Sequence, residues 1–216
     1  MKNLKVGVLG TGDVGRVLAT GFVGLGCQVK MGSREAGNAK AAAWVAGAGP
    51  FASSGTFAEV AQWADALVLA TSWSGTENAL QLAGAQHFAG KLVIDATNPL
   101  RFGAHGPELA LGHTDSGGEQ VQRWLPGAHV VKAFNIIGNQ HMIAPSFPGG
   151  TPDMFIAGDS SEAKQQVTQI CQDFGWDVVD LGGIVSSRYL EPLAMVWIMH
   201  YMRTKSGNHA LKLLRK

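Results

Sequence analysis

Leu4-Lys5-Val6-Gly7-Val8-Leu9 runs straight into Gly10-Thr11-Gly12-Asp13-Val14-Gly15, and an apolar pattern of helical period follows at once. A short apolar strand, a glycine turn and a helix start, in that order, make a dinucleotide-binding fingerprint. Gly10 permits the tight turn, Gly12 lets a pyrophosphate approach the backbone, and Gly15 lets the helix lie close on the strand. The helix N-terminus adds unpaired N–H groups and partial positive charge, both favourable to phosphate. Three glycines alone would equally fit a turn that binds nothing. Their setting makes Gly10, Thr11, Gly12, Asp13, Val14 and Gly15 the expected cofactor loop.

The next strand selects the dinucleotide. After a helix expected over 14–25, a strand from Gln28 to Met31 ends in Gly32-Ser33-Arg34. A site for NAD would place an Asp or Glu about 20 residues beyond the glycines to accept the ribose hydroxyls. Here a hydroxyl and a guanidinium stand instead. Arg34 can pair with a 2′-phosphate through several charge-assisted hydrogen bonds, and Ser33 can donate another. Thr11 is a third potential donor, while Glu35 is expected to point away from the ribose. The alternative for Arg34 is a surface arginine capping a loop. The reading is NADP(H).

Composition fits a small enzyme. The chain has 216 residues, a formal net charge of +1 and 29 glycines. That length can bury a sizeable core, and the charge balance gives no reason to expect a nucleic-acid surface. A first strand starting at Leu4 leads us to expect no leader sequence. The C-terminal apolar stretch, broken by Glu191, Pro192 and His200, is too short to span a bilayer. Cys27 and Cys171 are isolated and read as buried small side chains of a reduced, cytoplasmic protein. The histidines show no metal-ligand spacing, so no metal site is expected.

Strands and helices then alternate. Helices are expected over 36–48, 56–63, 76–82, 119–125, 162–174 and 187–203, and strands over 51–53, 66–70, 92–95, 128–133, 154–157 and 176–179. Thr56 with Glu59 has the capping-box pattern, and Ala66–Ala70 is apolar enough for a strand buried on both faces. This order predicts an α/β fold with a doubly wound parallel sheet. The final helix is apolar all round, as expected of one packed on the sheet and on a neighbour, such as a second copy of the chain.

Ligands of such sheets sit beyond the carboxyl ends of the strands. Those ends present Thr71-Ser72-Trp73, Asp95-Ala96-Thr97-Asn98-Pro99 and Lys132-Ala133-Phe134-Asn135. Thr71 and Ser72 can bond a nicotinamide ribose or carboxamide, and Trp73 can wall off the site. Asn98 is set by the proline that follows it. Asn135 can both donate and accept. Lys132 is the candidate for acid or charge stabilisation, and its structural alternative is a pair with Asp95 or with a helix C-terminus. His105 and His113 lie in a glycine-rich connection over 101–118, long enough for a lid. They are read as either pocket-lining or simply exposed.

The ordered set Gly10-Thr11-Gly12-Asp13-Val14-Gly15, Gly32-Ser33-Arg34, Ala96-Thr97-Asn98-Pro99, Lys132-Ala133-Phe134-Asn135 and Ser187-Arg188-Tyr189-Leu190-Glu191 resembles the NADPH:coenzyme F420 oxidoreductases and their bacterial relatives. The cytosolic oxidoreductase domain of STEAP-type metalloreductases is similar and shares the Lys-Ala-Phe-Asn segment. The resemblance implies a Rossmann-type domain, here 1–184, and a small C-terminal helical extension, 185–216, packed on the same core and in a homodimer interface. It also implies hydride transfer between NADPH and a diffusible flavin (FMN or FAD) or 5-deazaflavin. Thr11, Ser33 and Arg34 would hold NADP. Asn135 stands where the archaeal enzymes have a His, and Ala194 where a Thr falls in their last helix. An ordinary flavin is therefore as much expected as coenzyme F420.

The chemistry asks little of side chains, because the cofactors carry it. Two alternatives remain. Imine, hydroxy-acid and pyrroline-carboxylate reductases begin with such a domain, but they add a substantial helical domain that the short stretch after Val185 does not provide. A non-catalytic NADP(H)-sensing module would keep Thr11, Ser33 and Arg34 and lack an acceptor cleft.

Overall fold

A computed structural model describes residues 4–216; the first three residues of the expected Rossmann unit lie outside this range. In chain order the strands are β1 (Lys5–Leu9), β2 (Gln28–Ser33), β3 (Ala52–Thr56), β4 (Ala66–Leu69), β5 (Leu92–Asp95), β6 (Leu100–Gly103), β7 (Gly106–Leu109), β8 (His129–Lys132), β9 (Asp153–Gly158) and β10 (Asp177–Asp180). The α-helices are α1 (Asp13–Gly24), α2 (Ala39–Ala48), α3 (Phe57–Trp63), α4 (Trp73–Ala83), α5 (Gly117–Trp124), α6 (Ser161–Asp173) and α7 (Ser187–Thr204).

Eight strands form one sheet in the order β10-β9-β8-β5-β4-β1-β2-β3. Alternation along the central strands sends side chains into two cores. Val6, Val8 and Val68 join Leu18 and Phe22 of α1, Trp44 of α2 and Val167, Ile170 and Cys171 of α6. Leu9, Leu67, Leu69 and Val93 face the other way, onto Val60 of α3, Leu80 and Ala83 of α4, and Val121 of α5. Each large side chain buried this way contributes about 1.5–3 kcal/mol. Cys27 and Cys171 are both buried, and burial pushes the Cys171 thiol far above its ordinary pKa.

The Rossmann-type architecture holds, with one reversal. The strands from β3 across to β8 are parallel, but β9 runs antiparallel to β8, with β10 parallel to β9. A parallel partner would need a crossover, and the connection over 133–152 contains no α-helix to make one. The stretch read as a long loop over 101–118 contains an antiparallel hairpin, β6–β7, with Arg101 bonded to Glu108 across it.

Several helix starts also differ from expectation. Helix α2 begins late because Asn38 caps it, accepting from the Lys40 and Ala41 amides. Helix α4 begins early, at Trp73. Helix α5 starts at Gly117, with Ser116 accepting from the Glu119 amide. The capping box of Thr56 and Glu59 is present as read. Helix α7 packs against α5, against β7 of the hairpin and against β9 of the main sheet.

Candidate functional site: a cleft at the strand ends

From β1 the chain goes to β2 on one side, while β4 lies on the other, so the connections part at the carboxyl end of β1. Such a switch point leaves a crevice. Here it is a cleft of about 780 Å³ lined by Gly10, Thr11 and Gly12, by Ser33 and Arg34, and by Thr71 and Ser72. Gly10 has φ +126°, and a Cβ there would run into the Ala70 carbonyl. Gly12 has open space on its side-chain face, with nothing within 4 Å, so the backbone borders the cleft directly. Gly15 lies against the Gly10 carbonyl and packs helix on strand rather than lining the cleft.

Helices α1 and α4 both begin at this cleft, and neither has a side-chain cap, whereas α2, α3, α5 and α6 are capped by Asn38, Thr56, Ser116 and Ser160. In α4 the Gly75 amide donates to the Ser72 carbonyl at 2.9 Å; the other first amides of α1 and α4 are left to water or a ligand. Both dipoles then favour an anion there. Among the remaining loop residues, Val14 is half-buried and Asp13 pairs with Arg16 on the helix surface; neither lines the cleft.

At the β2 end, Arg34 is exposed on the rim. The Ser33 hydroxyl donates to the Glu35 carbonyl at 2.6 Å, so it can offer a ligand only lone pairs unless it rotates. Glu35 lines the cleft beside Arg34, contrary to the expectation that it turns away. Adjacent residues share this exposed bend after β2, so strand alternation no longer separates them. Thr71 and Thr76 share a hydrogen bond of 2.9 Å, and the Thr76 hydroxyl donates onward to the Ser72 carbonyl. Thr76 has one proton to give, so Thr71 is the donor in the pair and presents acceptor lone pairs to the cleft.

Trp73 does not stand over the cleft. It stacks on Trp124 of α5, with ring centroids 5.6 Å apart, and closes the α4–α5 contact. His105 and His113 are exposed and line nothing in the cleft.

Further along the same edge, Asn98 and Asn135 clasp each other at the ends of β5 and β8. Asn98 donates to the Asn135 carbonyl at 2.7 Å, and the Asn135 amide donates to Asn98 Oδ1 at 3.0 Å and to the Leu190 carbonyl at 3.1 Å. Asn135 Oδ1 is buried without a hydrogen-bond partner. Phe134 makes this turn possible with φ +62°, a rare conformation for a buried aromatic residue.

Lys132 is fully buried, which removes it from any direct role in the cleft. Its Nζ lies 2.7 Å from Asp95 Oδ2 and 3.0 Å from Glu191 Oε1, and it donates to the Thr97 carbonyl at 2.9 Å. Burial alone would pull its pKa down, but the two carboxylates outweigh burial and hold it above the ordinary lysine value. The structural alternative for Lys132 prevails, with Glu191 as an added partner. Glu191 also accepts from the Gly117 and Gly118 amides, both at 2.9 Å, and so caps α5 from α7. Its signal in sequence is a lone carboxylate within an apolar helical face. Asn38, Ser74 and Asn78 line the cleft too and carried no motif.

The sequence profile described as NADP oxidoreductase, coenzyme F420-dependent, matches residues 5–99, which span β1 to the turn after β5. A crystal structure from Arthrobacter sp. FB24, provisionally assigned as an F420-dependent NADP-reductase, superposes with a TM-score of 0.91 at 37% identity, covering 99% of this chain and 100% of that one. The F420-dependent NADP reductase of Methanothermobacter thermautotrophicus is 28% identical over 97% of this chain and 94% of its own. Metalloreductase STEAP3 of Rattus norvegicus is 32% identical over 88% of this chain, which spans only 36% of that relative's length. The shared fold, the glycine cleft and identity along the full length of the Arthrobacter protein lead to one assignment: the chain belongs to the coenzyme F420-dependent NADP oxidoreductase family and is an NADP-dependent oxidoreductase.

Proposed function

We propose that the protein transfers a hydride between NADPH and a diffusible planar acceptor, either a flavin (FMN or FAD) or a 5-deazaflavin of the coenzyme F420 type. The observation that carries this reading is the continuity of the strand-end edge. The glycine cleft at β1, β2 and β4 is followed, at the ends of the next two strands β5 and β8, by the Asn98–Asn135 pair, of which Asn98 is partly exposed. NADPH supplies the hydride from its nicotinamide ring, and the protein binds, aligns and excludes water.

The residues divide that work. The Gly10–Gly12 backbone and the uncapped start of α1 suit the pyrophosphate. Arg34 suits the 2′-phosphate, which it can bond in a forked geometry. Thr71 offers acceptor lone pairs to a ribose hydroxyl or carboxamide. Lys132 is sealed away from the cleft, so the proton that completes reduction of the acceptor comes from solvent.

The proposal extends to a cytoplasmic homodimer whose only other partner is the small-molecule acceptor. Tyr189, Val196 and Met199 recur at helical spacing as exposed apolar residues of α7, which supports burial against a second copy. Among the described residues no helix is long and apolar enough to cross a membrane.

The test is NADPH oxidation, followed by nicotinamide absorbance, with coenzyme F420, FMN, FAD, cyclic imines and keto acids offered separately. Turnover with a flavin or deazaflavin is expected. Turnover confined to imines or keto acids, or tight NADPH binding with no turnover on the whole panel, overturns the reading.

A further inference from the structure

We propose that Asn38 sets the preference for NADP(H) together with Arg34, by donating its side-chain amide to the 2′-phosphate. This rests on the placement of that phosphate at Arg34, and it holds whatever the hydride acceptor is. Asn38 is half-buried and lines the same cleft as Arg34 and Glu35. As the cap of α2, its Oδ1 accepts from the Lys40 amide at 3.1 Å and the Ala41 amide at 3.2 Å. Backbone N–H groups only donate, so the oxygen end of the carboxamide must face the helix. The Nδ2 end is turned away from those amides, and among the described residues no acceptor takes it.

The chain path brings Asn38 to the adenosine end of the cleft. Strand β2 lies beside β1, and the Gly10 amide donates to the Gly32 carbonyl at 3.2 Å. A pyrophosphate at the β1 turn therefore lays its adenosine ribose at the end of β2. Arg34 and Glu35 border the cleft there, Ala36 and Gly37 leave its wall, and Asn38 rejoins it. Gly37 makes the return with φ +75°, a left-handed turn that suits glycine.

The charges on this rim call for a neutral donor. Arg34 brings one positive charge and Glu35 one negative, so the two together offer an incoming phosphate little net attraction. The Ser33 hydroxyl, expected to assist Arg34, donates to the Glu35 carbonyl instead. The Asn38 amide supplies the missing hydrogen bond. The first turn of α2 holds no acid, whereas those of α3, α5 and α6 hold Glu59, Glu119 and Glu162. The positive end of the α2 dipole thus adds to the attraction. Aspartate would cap the helix as well as asparagine does, but it would set a second carboxylate on the rim.

The test separates capping from donation in the full-length protein. It is read by fluorescence titration with NADPH and NADH and by the melting temperature of the unliganded protein. Asn38→Ser keeps a good cap and removes the amide, so it should melt within about 2 °C of wild type. It should bind NADPH about 10-fold more weakly, the usual effect of one hydrogen bond to a charged group, with NADH changed less than about twofold. Asn38→Asp should hold the melting temperature and weaken NADPH further, because it adds repulsion. Asn38→Ala loses cap and donor together; it should melt about 2–4 °C lower, yet bind NADPH no more weakly than Asn38→Ser. Wild-type NADPH affinity in Asn38→Ser, or affinity lost only in the variant that melts early, makes Asn38 a cap alone and overturns the inference. Equal losses for NADPH and NADH also overturn it. Arg34→Ala in the same titrations tells the two readings apart. If it fails to single out NADPH, the phosphate is not at this rim and both fall. If it singles out NADPH while Asn38→Ser does not, this inference alone falls.

Discussion

Lys132 and Asp95 stand opposite each other on neighbouring parallel strands, Nζ 2.7 Å from Oδ2, and neither side chain has any exposure. Asp95 Oδ1 is taken by the Thr97 amide at 2.9 Å and hydroxyl at 2.7 Å, so the pair also shapes the turn that leads to Asn98. Removing one member leaves buried charge without compensation. Lys132→Met should therefore lose about 3–5 kcal/mol in urea unfolding or fail to fold. A Lys132→Met protein that is as stable as wild type but catalytically dead would instead restore the lysine to a direct chemical role.

Arg34 carries the preference for NADP. Arg34→Ala should weaken NADPH binding roughly 10- to 100-fold, the usual worth of hydrogen bonds to a charged group. NADH, lacking the 2′-phosphate, should be affected within about twofold. Fluorescence titration of both nucleotides measures this. Equal losses for the two would show that Arg34 does not read the phosphate.

Stability should fall at both ends of the pH scale, for different reasons. Two hydrogen bonds from Arg188 hold the Glu119 carboxyl below its ordinary value, against the opposing effect of burial. Asp115, which burial alone would raise, is brought below its ordinary value by Arg123 and the Ser116 amide. A depressed carboxylate stabilises above its unfolded pKa, about 4, and that stability is lost as pH falls through the folded value. Lys132 is raised, so its contribution is complete below about pH 10.4 and lost as pH climbs through its folded value. Melting temperature against pH should show both declines. Arg188→Ala should flatten the acid one, and an unchanged acid limb would show that this pair contributes nothing.

The exposed apolar stripe of α7 should lie in a dimer interface. Val196→Asp with Met199→Asp places charge in the middle of the stripe and should yield a folded monomer by light scattering. A wild-type protein that is monomeric at high concentration, or a double variant that still dimerises, contradicts this.

The first half of the fold is legible because its signals are local. The glycine turn follows an apolar strand, Thr56 sits three residues before Glu59, β4 is apolar throughout, and β5 is apolar up to its closing Asp95. Direction is not a local property, and the apolar run of β9 reads the same either way. The β6–β7 hairpin lacks alternation because the strands are exposed on most faces, so no period marks them. In the site, Gly10, Gly12, Arg34 and Thr71 follow from strand-end position alone. The sealing of Lys132 depends on carboxylates from β5 and α7, and the place of Trp73 depends on Trp124. Both partners are distant in sequence, and only packing brings them together. The start of α5 was written in Ser116 and Glu119, a capping pair that the glycines between them obscure.

The most direct measurement is the fate of deuterium from NADPH labelled at the transferring position of the nicotinamide, with coenzyme F420 as acceptor. The reduced 5-deazaflavin forms a carbon–hydrogen bond that does not exchange with water, so direct transfer must leave the label in the product. Mass spectrometry should find deuterium in reduced F420, on one face only, because a protein-held nicotinamide presents one side. Reduced F420 carrying only solvent hydrogen, or no reduction of any flavin or deazaflavin while NADPH binds tightly, would contradict hydride transfer at this cleft.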